Sequence, residues 1–121
     1  MYIGDVTGHG LPAALVMMMV STLLDTYAEV NEKALDVVVN TNKQLKPRIK
    51  ATMFMTMLLL SWDHELKKMS FVGAGHEYLF VYRKALGTVE KIPAGGIALG
   101  MVPDNSALVK EMDLNLAVGD V

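Results

Sequence analysis

The hydrophobic period of this chain changes once, near Lys50, and that change limits the fold more than any other feature. Upstream the apolar spacing is helical; downstream it alternates. Gly4 to Gly10 (Gly-Asp-Val-Thr-Gly-His-Gly) is too glycine-rich for a helix or a strand interior and reads as a tight loop, with only a strand end at Met1 to Ile3 before it. Pro12 then opens a helix to about Tyr27 whose apolar residues cover nearly all faces, so burial on most sides is expected. A second helix spans about Asn31 to Leu45 with Ala34, Leu35, Val38, Val39, Asn42 and Leu45 on one face, and Pro47 ends it. From Met53 to Trp62 the residues Met53, Met55, Met57 and Leu59 alternate with Phe54, Leu58, Leu60 and Trp62, as in a central strand covered on both faces. A polar turn at His64 to Lys67 leads to a hairpin partner, Lys68 to Val72, which Gly73 to His76 interrupts. Tyr78 to Arg83 and Val89 to Ile92 form another hairpin, and Ala107 to Leu114 is the last strand. Two helices followed by consecutive antiparallel strands define an α+β domain, without βαβ alternation.

Composition narrows the function classes. The 121 residues, 52% hydrophobic and 20% charged, suit one globular domain. A formal charge of -2 with no basic stripe argues against nucleic acid as a partner. With no cysteine there is no disulfide, thiolate nucleophile or Cys-based zinc site, and a reducing compartment is permitted. The longest apolar run, Leu11 to Leu24, falls short of the roughly 20 residues a membrane span needs, so no membrane insertion is expected. Asp5 stands where a secretory signal would be basic, and a cytoplasmic location is the default.

Asp5 is the one carboxylate of the glycine loop. Two readings compete for it. A carboxylate beside a backbone carbonyl suits a hard cation such as Mg²⁺ or Mn²⁺; alternatively Asp5 caps the turn or the following helix. The loop has neither the Gly-Lys-Ser/Thr of a P-loop nor a GxGxxG opening a βαβ unit. His9 and His76 are expected as hydrogen-bonded loop histidines and His64 as exposed. Asp25, Asp36, Asp104 and Asp113 read as solvated charges, and the ten methionines as adaptable core filler.

The run Gly4-Asp5-Val6-Thr7-Gly8-His9-Gly10-Leu11-Pro12-Ala13-Ala14-Leu15-Val16-Met17 resembles the GDVSGHGxPAALLM signature of the SpoIIE/RsbU-like phosphatases, a branch of the metal-dependent PP2C superfamily, with Thr7 in place of Ser. Further matches follow in the same order. Asn42 to Leu45 resembles that family's NxxL, Phe54-Met55-Thr56 its F(V/A)T strand, and Asp63 its strand-ending aspartate. Gly73-Ala74-Gly75-His76 is similar to its NAGH, Gly96 to Gly100 to its GxPLG, and Gly119-Asp120 to its PGD turn; Lys67 or Lys68 stands where a turn glycine is usual.

The resemblance implies an antiparallel β-sandwich flanked by helices, in α/β/β/α layers, with a two-metal site at one end. The aspartate matching Asp5 would bridge two Mn²⁺ or Mg²⁺ ions and the Val6 carbonyl would bind one of them, activating water for hydrolysis of phosphoserine or phosphothreonine. The implied partner is a phosphorylated protein, such as a STAS-domain anti-sigma-factor antagonist, in bacterial signalling; a homodimer is compatible. The family's other carboxylates lie before the GDVSGHG loop and beyond the PGD turn, so residues 1–121 are expected to form an incomplete phosphatase domain, weak in metal binding and turnover on its own. The alternative is a non-catalytic, phosphatase-like binding module.

Overall fold

A computed structural model describes all 121 residues. Strand β1 (Tyr2–Val6) is followed by α1 (Leu11–Val30), α2 (Ala34–Leu45) with a 3₁₀ turn at Lys46–Arg48, and five further strands: β2 (Met55–Asp63), β3 (Lys68–Ala74), β4 (Tyr78–Arg83), β5 (Thr88–Pro93) and β6 (Glu111–Leu114). One antiparallel sheet has the order β1-β2-β3-β6, and β4 and β5 form a separate two-stranded sheet.

The alternation expected for β2 holds and builds two cores. Met55, Met57 and Leu59 face the helices, where they meet Val16, Val20 and Leu24 of α1 and Val37, Val38 and Leu45 of α2. Leu58 and Leu60 face the other way and pack with Phe71, Val81, Ala94 and Leu114 between the larger sheet and the β4/β5 hairpin. The order of layers is therefore helices, sheet, hairpin. Trp62 lies beyond this cover and is 53% exposed.

Four expectations need correction. First, Gly4, Asp5 and Val6 lie within a strand, not a loop: Asp5 pairs with Thr56 and Val6 with Met55. Gly4 favours this pairing, since a Cβ there would sit 2.7 Å from the Thr56 carbonyl oxygen and push β1 off β2. Second, α1 is covered along one stripe only. Val16, Val20 and Leu24 are buried, while Leu11 (72%), Leu15 (53%) and Met18 (67%) are exposed, because α2 and β1 meet a single face. At 20 residues, α1 is long and apolar enough by length and composition to cross a bilayer, though the shorter apolar run suggested otherwise. Third, β3 continues through Gly73 and Ala74, which are buried under Ala94 to Ala98. Fourth, β6 starts at Glu111, since Asn105 to Val109 form a turn in which the Asn105 carbonyl accepts from the Leu108 and Val109 amides.

Two long-range contacts tie the layers together. Glu111 on β6 accepts from the Leu35 amide (3.2 Å) and from Ser70 Oγ (2.6 Å), which caps a helix start that has no capping side chain of its own. Arg83 at the end of β4 donates to Glu90 (2.7 Å), to the Asn115 carbonyl (2.6 Å) and to Asp120 (2.9 Å), clamping the end of the chain to the hairpin.

Candidate metal centre

Asp5 sits one residue from the end of β1, directly opposite Thr56. Thr56 belongs to the β2 set that faces the hairpin, and directly opposed residues share a face of a sheet. Asp5 therefore points to the hairpin side, at an open end of the sandwich. It lines a cavity of about 610 Å³ with Thr56, Gly75, His76, Glu77, Tyr78, Phe80 and Lys91. Its side chain is exposed, and its carboxylate accepts no hydrogen bond; Thr56 Oγ1 donates to its backbone carbonyl at 3.5 Å. Gly10 occupies the N-cap of α1. The capping alternative for Asp5 thus has no contact behind it, and a free carboxylate on a paired strand remains.

Rigidity around Asp5 comes from the residues that follow it. Thr7 Oγ1 donates to the Phe54 carbonyl (3.1 Å) and accepts from the Phe54 amide (3.0 Å), while the Thr7 amide reaches the same carbonyl at 3.0 Å. Val6 leans into the helix-side core. Behind β1, Met55 exchanges two backbone hydrogen bonds with Leu99 (2.9 and 3.0 Å). That loop is held in turn by fully buried Asn42, whose Oδ1 accepts from the Gly100 amide (2.9 Å) and whose Nδ2 donates to the Val102 carbonyl (3.1 Å). Lys46 adds a contact to the Gly100 carbonyl at 2.8 Å. Asn42 and Gly96 to Gly100, noted in the sequence only as motif matches, are the brace behind the Asp5 strand.

The turn at the top of the cavity needs its glycine. Gly75 has φ 77°, and a Cβ there would lie 2.8 Å from the Ala98 nitrogen. Its amide donates to the Gly95 carbonyl at 3.1 Å, which orients the His76 backbone along the cavity wall.

The two loop histidines differ from expectation: neither makes a side-chain hydrogen bond. His76 is half-buried in the Asp5 cavity; His9 is exposed on a shallower groove with Thr7, Lys50 and Thr52. Both follow a glycine of positive φ, Gly8 before His9 and Gly75 before His76. His64 is exposed, as expected. The four aspartates expected to be solvated are so: Asp36 is exposed, Asp25 lies by a cavity of about 450 Å³ at the far end of β1 and β2, Asp113 pairs loosely with Lys68 (3.8 Å), and Asp104 accepts from the Ser106 amide. That amide, followed by the Ser106 side chain, holds the Asp104 carboxyl below its ordinary 3.8.

Asp120 is the acid that sequence reasoning undervalued. Its side chain is 3% exposed, and it accepts from the Ala117 amide (3.1 Å), Arg83 (2.9 Å) and the Lys84 amide (3.0 Å). The Ala117 amide and then the Arg83 guanidinium hold it below 3.8, against the opposing effect of burial. Arg83 is shifted upward in return, by Asp120 first and Glu90 second. Asp120 is thus a clamp for the chain and is already saturated with donors. No spacing rule links positions 83 and 120, so nothing in the sequence marked the pair.

No cluster of three or more His, Cys, Asp or Glu side chains is assembled. Mg²⁺ takes six oxygens, usually one or two carboxylates with the rest from water and substrate. The Asp5 carboxylate fits that chemistry in type and accessibility, and an ion there would draw the rest of its shell from other donors.

A family model described as Stage II sporulation protein E (SpoIIE) matches residues 1–121. The phosphoserine phosphatase RsbU of Bacillus subtilis (strain 168) is 32% identical over 119 residues, covering 98% of this chain and 35% of its own length. The chain therefore spans about a third of the length of that curated relative. Among solved structures, the SiaA-PP2C domain of Pseudomonas aeruginosa superposes with a TM-score of 0.75 at 20% identity, over 98% of this chain and 45% of that one. The PP2C phosphatase domain of SpoIIE from Bacillus subtilis, solved with a fragment of its regulatory domain, gives 0.73 at 21%, over 98% and 34%. These two likenesses establish the fold.

Proposed function

The chain belongs to the SpoIIE family of RsbU-like phosphatases with the PP2C fold, and from that premise we propose that it forms the Asp5 side of a metal-dependent site that hydrolyses phosphoserine or phosphothreonine on a protein. The observation that supports this reading best is Asp5 itself: a carboxylate without a hydrogen-bond partner, fixed on a paired strand and open to a cavity.

In this reading the Asp5 carboxylate and the Val6 carbonyl hold Mg²⁺ or Mn²⁺ as part of a two-ion centre. When bound, such a pair supplies the Lewis acidity that makes water a nucleophile near neutral pH and offsets charge on the phosphoryl oxygens. The chain's own residues do the positioning. Thr7 and the Leu99–Met55 bridge keep Asp5 in register, and the cavity beside it admits a phosphorylated side chain. His76, half-buried on the cavity wall and free of partners, is placed to donate a hydrogen bond to a substrate oxygen.

The substrate class is a phosphorylated signalling protein, of which a STAS-domain anti-sigma-factor antagonist is the leading example, in the cytoplasm. Residues 1–121 are one part of the phosphatase domain in this reading, and a homodimer is compatible with the bare face of α1. Because only Asp5 and Glu77 bring carboxylates to this cavity and no group of three ligands is assembled, the 121 residues alone bind Mn²⁺ weakly and turn over poorly. The test is Mn²⁺ titration with a phosphoserine peptide; micromolar affinity and brisk turnover from these residues alone would contradict the reading. A non-catalytic, phosphatase-like module predicts instead that the full-length protein neither binds Mn²⁺ through Asp5 nor releases phosphate.

A further inference from the structure

Antiparallel pairing gathers several turns of the chain at the Asp5 end of the molecule. β1 and β3 end there, and β2 and β6 begin there. Backbone hydrogen bonds from Gly75 to Gly95 (3.1 Å) and from Ala94 to Glu77 (3.0 Å) bring the start of β4 and the end of β5 to the same place. Three hollows follow one another across this end. The Asp5 cavity shares Gly75, His76, Glu77 and Tyr78 with a second hollow of about 420 Å³. The second shares Pro93, Gly95 and Gly96 with a third of about 250 Å³, which reaches Leu108, Lys110 and Met112. The shared walls make one open groove, from Asp5 across the Gly95-Gly96 bend to the start of β6.

The bend is glycine for reasons of room. Gly95 and Gly96 have φ of 66° and 77°; a Cβ on Gly96 would collide with the Gly73 carbonyl, and a Cβ on Gly95 would enter open space. Both residues are exposed, and neither amide donates a hydrogen bond within the molecule. Charge differs between the two ends of the groove. The Asp5 cavity mixes Asp5 and Glu77 with Lys91, whose ammonium stands over the Tyr78 ring, 3.5 Å from its centroid. No acidic side chain lines the far hollow, where Lys110 is exposed and pairs with no carboxylate. Neighbouring Glu111 is already engaged by the Leu35 amide and Ser70. Leu108, 50% exposed, adds an apolar step beside Lys110.

We propose that this groove is the track for the substrate protein. With its phosphorylated residue in the Asp5 cavity, one flank of the substrate lies extended over Gly95 and Gly96 and presents a carboxylate to Lys110. The free amides suit the carbonyls of an extended chain, and a lone cation at the end of a groove sets register and partner choice more than affinity. The inference rests on the phosphatase reading of Asp5 and adds the substrate feature that is selected, an acidic residue on one flank.

The test uses the full-length protein and phosphoserine peptides in which one glutamate is walked along each flank. Phosphate release gives kcat and KM, and the anisotropy of fluorescent peptides gives binding. The unmodified protein is expected to prefer glutamate at one flanking position. In Lys110→Glu the preference inverts to lysine at that position, and KM for the glutamate peptide rises about 5- to 10-fold, the scale of turning one exposed attraction into a repulsion. Lys110→Gln loses the preference without inverting it. Lys33→Glu, beside the cavity at the other end of β1 and β2, changes net charge equally and keeps the preference. A preference that survives Lys110→Glu, or that is absent from the unmodified protein in both readings, overturns the proposal. Phosphate release that ignores Lys110 removes the track and leaves the phosphatase reading standing. Binding that follows the charge at position 110 without any phosphate release supports the groove and removes the phosphatase reading.

Discussion

Single residues explain why this site is rigid without being crowded. Asp5 stays free because its neighbours, Thr7 and Thr56, spend their hydroxyls on backbone carbonyls. Lys67 bears the strain at the far end of the sheet. It takes a left-handed φ of 50° in the β2–β3 turn, where the family usually has glycine. A side chain in that region costs about 1 to 2 kcal/mol, partly offset by the greater unfolded freedom of glycine, about 0.5–1 kcal/mol. Lys67→Gly is therefore expected to stabilise the fold by up to about 1 kcal/mol, read from denaturant midpoints; a lower midpoint would contradict this. Asp120 predicts a pH response. Its folded-state pKa lies below the ordinary 3.8, so its stabilisation is complete above that value and is lost as pH falls through the folded value. Asp104 is shifted the same way and contributes to the same acid limb. Thermal stability should hold from neutral pH to about 5 and drop more steeply below 4, where carboxylates begin to protonate. Asp120→Asn should be less stable at pH 7 and show a shallower acid limb; an unchanged slope would count against the clamp.

At the scale of elements, what could be read from the chain and what could not divide along a physical line. The two hairpins, the two-sided burial of β2 and the helix order were legible because local periodicity and turn residues encode them. The burial of α1 was not. Its composition is apolar on nearly every face, yet only Val16, Val20 and Leu24 are buried, since tertiary contact selects the stripe. Val20→Ala should cost about 1 to 3 kcal/mol through lost burial and the cavity left behind, whereas Leu15→Glu, on the bare face, should change stability by less than about 0.5 kcal/mol. Urea denaturation of both variants decides this, and equal losses would show that the bare face is covered in solution. Strand β1 was shortened in the sequence reading because glycine argues against a strand. The approach of the Thr56 carbonyl, which makes glycine the fitting residue at position 4, is a tertiary fact. The cap on α2 by Glu111 was out of reach for the same reason, coming from the other end of the chain.

For the molecule as a whole, three layers converge on one end of one strand. Helices cover one face of the larger sheet, the hairpin covers the other, and Asp5 emerges where the hairpin leaves the sheet uncovered. Asp5 was legible as a candidate because glycines isolate a single acid, and its role as a helix cap is without support because Gly10 holds the N-cap of α1 and no hydrogen bond reaches the Asp5 carboxylate. The brace through Asn42, Gly100, Leu99 and Met55 was not legible, because each link joins residues more than 40 positions apart. The decisive measurement is phosphate release from a phosphoserine protein by the full-length protein across a Mn²⁺ titration, wild type against Asp5→Asn. A site built on Asp5 predicts a fall in kcat of roughly 10³-fold or more, the scale of losing a preorganised electrostatic group, with the Mn²⁺ midpoint moved to higher concentration and folding intact. A variant that keeps the wild-type rate and the wild-type Mn²⁺ midpoint would contradict it.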